Sequence, residues 1–171
     1  MRLQIRFLLL IFMMIGPLAS AQIDHKIGFT IKNFGVGVDG FFETSRVTGT
    51  LDLTNPANTN LQAVIQVSSI NTDNDSRDSH LVEEDYFDAQ KYPQMRFRST
   101  AFRSKGGGEY ELKGELTIKG KTQSVTIPLE RVDQRLSGGI KINRLDFKVG
   151  GRSLILSKTV TINLQIEIPN P

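Results

Sequence analysis

Apolar residues recur at every second position along most of this chain. Ile23, His25, Ile27, Phe29 and Ile31 alternate with Asp24, Lys26, Gly28, Thr30 and Lys32, and Val160, Ile162, Leu164, Ile166 and Ile168 repeat the pattern near the end. A period of two puts one set of side chains on one face of a strand, so each segment reads as a strand with one buried face. Between them the same alternation runs through Val47 to Leu53, Leu61 to Val67, Met95 to Ser99, Tyr110 to Ile118, Val125 to Leu129 and Ile140 to Ile142. Asn55-Pro56, Gly106-Gly107-Gly108, Lys119-Gly120-Lys121 and Ser137-Gly138-Gly139 separate many of these runs. Short connections rich in turn residues join antiparallel neighbours.

Alternation fails for a long stretch only between Asp73 and Tyr92. There a short helix is expected from about Ser76 to Phe87, with Asp75 or Ser76 as its N-cap and Leu81 and Phe87 pinning it to the sheet. Pro93 forces an extended chain at Tyr92 before the next strand. About eight strands with one short helix must stack as two sheets or close into a barrel, and closure removes exposed edges. The expected fold is therefore an all-β, extended antiparallel barrel of about eight strands. Gly40, Gly49 and Gly114 fall inside strand patterns, where a missing side chain leaves room for a bend or for something to approach the backbone. The pattern alone leaves both readings open, as it leaves open whether the barrel is filled or hollow.

The first residues belong to a different class. Arg2 and Arg6 precede an apolar run from Phe7 to Ile15, Gly16 and Pro17 break it, and Ala19-Ser20-Ala21 forms a small-x-small cleavage site. That pattern reads as a secretory signal peptide over residues 1–21, with a mature domain over 22–171 and a periplasmic or secreted location. The apolar run is well short of the roughly 20 residues of a spanning helix. With the signal removed, 19 of the 21 basic residues face 18 acidic ones, a net charge of +1. No basic stripe of the kind that binds nucleic acid is left. The sequence contains no cysteine, hence neither a disulfide framework nor a lipidated anchor.

Several blocks carry a family resemblance. Ser69-Ile70-Asn71-Thr72, Arg77-Asp78-Ser79-His80-Leu81, Tyr86-Phe87-Asp88 and Lys91 to Ser99 follow one another in the order and spacing of the central signature of the YceI-like family. Phe29-Thr30-Ile31-Lys32 with Gly35, Val38, Gly40 and Phe42, then Gly114 to Gly120, then Asn143-Arg144-Leu145-Asp146-Phe147 resemble its flanking blocks. The chain departs from the family at Asn33 and Lys148, where histidine and glycine are common. The resemblance implies a lipocalin-like barrel, usually periplasmic, whose apolar bore binds a polyisoprenoid or similar long-chain amphiphile.

An apolar bore needs no directional contacts, since each methylene removed from water contributes about 0.8 kcal/mol. Phe29, Ile31, Phe42, Phe97, Gly114, Leu116, Ile118 and Ile162 are the candidates for its lining, and Arg77, His80 and Lys119 for donors to a head group at its mouth. For Arg77 and Asp78 a purely structural role in fixing the helix is the favoured reading. The expected ligand is a polyisoprenoid, an isoprenoid quinone or another long-chain lipid, with no cofactor, no nucleic acid, no stable membrane insertion, and a monomer or homodimer as the working form. Catalysis is not expected: His25 and His80 are the only histidines, and no serine sits in a Gly-x-Ser-x-Gly setting. Asp73, Asp75 and Glu84 match the first, third and twelfth positions of a calcium loop, but Arg77 and Asp78 replace a ligand and the turn glycine. The alternative function is a non-catalytic module with a filled barrel, whose loops engage a protein or surface partner.

Overall fold

The computed structural model describes residues 22–169. The expected signal peptide, residues 1–21, lies outside the described residues.

The elements are β1 (Gln22–Ile23), β2 (His25–Asn33), β3 (Val36–Phe42), β4 (Ser45–Thr50), β5 (Asn60–Gln66), β6 (Ile70–Asn71), α1 (Asp75–Leu81), β7 (Gln94–Gly106), β8 (Glu109–Ile118), β9 (Lys121–Val132), β10 (Arg135–Asn143) and β11 (Leu156–Glu167). They form one antiparallel sheet of eleven strands in the order β1-β4-β5-β7-β8-β9-β10-β11-β2-β3-β6. The count exceeds the expected eight because three long runs are each interrupted. Asp24 divides β1 from β2, Glu43-Thr44 divides β3 from β4, and a 3-10 turn at Val67–Ser69 precedes β6.

These interruptions are where the sheet closes. β1 pairs with β4, while β2, one residue further on, pairs with β11 on one side and β3 on the other. The first run thus joins the two ends of the ladder. His25 pins the junction: Nδ1 lies 2.9 Å from the Ile23 carbonyl and Nε2 lies 2.8 Å from Ser45 Oγ. A carbonyl can only accept, so Nδ1 donates to it, and Nε2 shares a hydrogen bond with the serine hydroxyl, which can donate or accept.

Antiparallel order fixes what meets at each end of the barrel. One end gathers the β2–β3 turn, residues 72–93, the Lys119-Gly120 turn and residues 144–155. The other gathers residues 51–59, the Gly106-Gly107-Gly108 turn, the Asp133-Gln134 turn and Gln22. This second end is plugged by Ile23, Phe102, Leu129 and Leu136, all buried, with the Phe102 and Tyr110 rings stacked at 5.2 Å.

The strand glycines resolve differently. At Gly49 the backbone has φ 125° and a Cβ would strike the Asn60 carbonyl, so this glycine permits close approach of β5. At Gly40 and Gly114 the space is taken by neighbouring rings, Phe29 over Gly40 and Phe97 over Gly114.

The helix is shorter than the pattern suggested and starts earlier. Its N-cap is Asn74, whose side chain accepts from the Arg77 amide, and its last residue is Leu81. Past Leu81 the carbonyls of His80, Leu81 and Val82 accept from the amides of Glu83, Phe87 and Ala89, at spacings other than the four residues of a helix. Lys119 Nζ and the Gly150 amide tie down the Glu84 (2.6 Å) and Asp85 (2.9 Å) carbonyls. Residues 82–92 therefore continue as turns.

Candidate functional site

Inward-facing side chains of the long strands do not fill the barrel. Between the plug and the helix lies a cavity of about 590 Å³. Its walls are Phe29 and Ile31 from β2, Val38 and Phe42 from β3, Ala63 and Ile65 from β5, Phe97 from β7, Leu116 and Ile118 from β8, Ile140 and Ile142 from β10, and Val160 and Ile162 from β11. Leu81, Tyr86 and Phe87 close over it, with Phe87 edge-on to Phe42 at 6.2 Å. The polar side chains of the lining are few: Asn33, Gln62, Thr72, Asn74, Ser76, Arg77, His80, Arg144 and Ser153. All but Gln62 belong to the helix-capped end.

Seven of the eight residues expected in the bore line this cavity: Phe29, Ile31, Phe42, Phe97, Leu116, Ile118 and Ile162. Gly114 lies outside the lining. The ring of Phe97 covers it, and a Cβ built there would also sit 2.6 Å from the Arg98 carbonyl oxygen. Its parity with Leu116 is right, but the cross-strand neighbour occupies the space.

At the mouth, Arg77 and His80 reach the cavity and Lys119 does not, since its ammonium is held on the Glu84 carbonyl. Arg77 is also committed structurally: Nε donates to Thr72 Oγ1 at 2.7 Å and Nη2 to the Thr72 carbonyl at 2.6 Å. Asp78 accepts from the same Thr72, through both its amide and its hydroxyl. The pair thus fastens α1 to the end of β6. His80 contacts Glu83 at 3.0 Å and packs edge-on against Tyr86 at 4.9 Å. Asp73, Asp75 and Glu84 are not drawn together: among the described residues no group of three or more His, Asp or Glu side chains is placed to hold a metal ion.

Seven of the nine polar lining residues were not among the candidates, and two of the seven, Arg144 and Asn33, bear on a ligand. Arg144 is 4% exposed, and its guanidinium donates to three backbone carbonyls, those of Val149 (2.8 Å), Ser157 (2.9 Å) and Leu156 (3.4 Å). Burial lowers its pKa from the ordinary arginine value, and Tyr86 acts in the opposite direction. Among the described residues its hydrogen-bond partners are carbonyls and it takes part in no ion pair, so the positive charge stands without a carboxylate beside the cavity. Asn33 sits opposite Leu156 across the β2–β11 ladder, and its Oδ1 is buried with no hydrogen-bond partner among the described residues. A buried acceptor of this kind is unstable unless something donates to it. Both residues were signalled by parity: Asn33 continues the inward set of Phe29 and Ile31, and Arg144 that of Ile140 and Ile142. Lys148 lies outside the lining, exposed and in the left-handed region at φ 59°, where glycine carries less strain.

The YceI-like domain, as a family model, matches residues 21–168. The chain belongs to the YceI-like family. A UPF0312 protein of Photorhabdus laumondii is 33% identical over 71% of this chain and 70% of its own length. Protein YceI of Escherichia coli is 34% identical over 68% of this chain, which spans 63% of the length of that YceI protein. Among solved structures, BcnA of Burkholderia cenocepacia superposes with a TM-score of 0.79 at 28% identity, covering 84% of this chain and 98% of that one. A polyisoprenoid-binding domain from Saccharophagus degradans shares the YceI-like fold at a TM-score of 0.65 and 16% identity, over 86% of this chain and 98% of that one.

Proposed function

We propose that this YceI-like protein is exported and carries or stores a long-chain amphiphile, a polyisoprenoid or a related lipid, within its barrel. One observation carries the reading: the cavity is chain-sized, walled by aliphatic and aromatic side chains, plugged at one end, and polar almost only at the other. An apolar chain in such a space gains from every methylene removed from water, about 0.8 kcal/mol each. The polar end meets the head group. Asn33 Oδ1 would accept from a ligand hydroxyl, and the uncompensated Arg144 charge favours an oxygen-rich or anionic group, with His80 at the opening. The polyisoprenoid-binding domain that shares the fold names the ligand class to examine first.

The test is native mass spectrometry and organic extraction of the mature protein purified from an exporting, lipid-producing host. A bound apolar molecule that is released on unfolding is the expected result. A clean protein mass, with no added prenol, quinone or fatty acyl chain restoring bound mass, would refute the carrier and favour a filled-scaffold binding module.

A further inference from the structure

The barrel end that holds the polar lining also presents exposed apolar side chains beside it. Phe34 is 73% exposed, Val36 68%, Ile155 46%, and Leu154 reaches the fully extended value at 106%. They come from two segments joined into one rim, since the Phe34 amide donates to the Ile155 carbonyl at 2.9 Å. Local geometry holds the tips outward. Phe34 and Gly35 both have positive φ in the tight β2–β3 turn, and Ser153 Oγ accepts from the Ile155 and Leu156 amides, fixing the bend that presents Leu154. Solvent-facing apolar tips that are locally braced mark an interaction surface.

Charge says what that surface meets. Residues 32–38 and 148–158 contain Lys32, Lys148, Arg152 and Lys158, all exposed, and no carboxylate. None of these four cations takes part in an ion pair among the described residues. Exposed carboxylates flank these segments at Asp39 and Asp146, where they accept from Thr30 and Asn143, and others follow β6 at Asp73 and Asp75. Apolar tips on segments that carry four unpaired cations match an anionic phospholipid bilayer, with tips among the acyl chains and cations at the phosphates.

The rim also adjoins a way in. Only Phe41 and Phe42 of β3 pair with β6, so the edge from Val36 to Gly40 is unpaired on that side. Val38 in this stretch lines the cavity, as do Asn33, Ser153 and Ile155 of the rim. We propose that this rim docks the protein on an anionic bilayer and that the amphiphile enters and leaves beside the unpaired edge of β3. The inference rests on the carrier reading for its purpose, and on exposure and charge for its geometry.

The experiment is sedimentation of the mature protein with vesicles of phosphatidylcholine alone and of an equal mixture with phosphatidylglycerol. Lys32→Gln, Arg152→Gln, and a Phe34→Ser/Leu154→Ser pair are compared with the parent chain. All four positions are exposed, and thermal melts check that the variants fold. The parent should bind the mixed vesicles and not the neutral ones, each lost cation should weaken binding about fivefold, and the apolar pair should abolish it. Absence of binding to the anionic vesicles, or variants that bind as the parent does, overturns the proposal. So does a parent dimer that the Phe34/Leu154 pair converts to monomer, which would make the rim a contact between copies. Extraction of the same samples separates the two claims. Protein that carries lipid but ignores vesicles keeps the carrier and loses the docking rim, while protein that docks and never holds lipid does the reverse.

Discussion

Gly114 offers a sharp test of how the bore is built. An alanine there would place its Cβ against the Phe97 ring and 2.6 Å from the Arg98 carbonyl oxygen. The ring can turn away; the carbonyl belongs to the ladder between β7 and β8 and cannot. Overpacking of this kind costs about 1–3 kcal/mol, which at about 3 °C per kcal/mol for a domain of this size lowers Tm by about 3–9 °C. Since Phe97 lines the cavity, the displaced ring moves into the bore, so bound lipid should fall as well. Phe97→Leu removes the ring and loses packing of its own. The double variant should then be less destabilised than the sum of the singles, by about 0.5–2 kcal/mol, the remainder being the carbonyl contact. Urea unfolding followed by far-ultraviolet circular dichroism on all four proteins of the cycle gives these values. A neutral Gly114→Ala would show that the space beneath the ring is open, and strict additivity would show that the ring is not what fills it.

Replacing Arg144 with methionine leaves the carbonyls of Val149, Leu156 and Ser157 without their donor; the expected loss is at least about 3 kcal/mol in urea unfolding, with faster hydrogen exchange over residues 144–157. Asp52 accepts from the Asn55 amide and the Thr54 hydroxyl, and these bonds hold its pKa below the ordinary value of 3.8 against a small opposing effect of burial. A lowered carboxylate stabilises above its unfolded value and loses that contribution as pH falls through the folded one. The urea midpoints of the parent and Asp52→Asn should therefore differ near neutral pH and converge in strong acid, and a constant gap would refute the assignment.

The alternation along the chain determined most of the barrel. Period two named the long strands, their inner faces and their turns, because a strand half buried against a core cannot exchange its faces without exposing the apolar set. The break at Asp73 marked the helix for the same reason. Of the eight residues expected in the bore, seven line the cavity, most of them at inward positions of an alternating run. Parity also points Asn33 and Arg144 inward, although a polar residue at such a position is easily read as the end of a strand.

What the chain could not show locally depends on partners distant in sequence. The closure at Asp24 arises from pairing with β4 and β11. The segment after α1 is held as turns in part by Lys119 and Gly150, which bind the Glu84 and Asp85 carbonyls. Gly114 is legible as a gap, but only the position of Phe97 decides that the gap is occupied. The same holds for the interior as a whole. Inward apolar side chains are common to filled and hollow barrels, and the difference lies in whether they meet across the bore. They meet at Phe102, Leu129 and Leu136, and they stand apart beneath the helix, because side chains of similar size fill a barrel only where opposing walls lie close enough for contact.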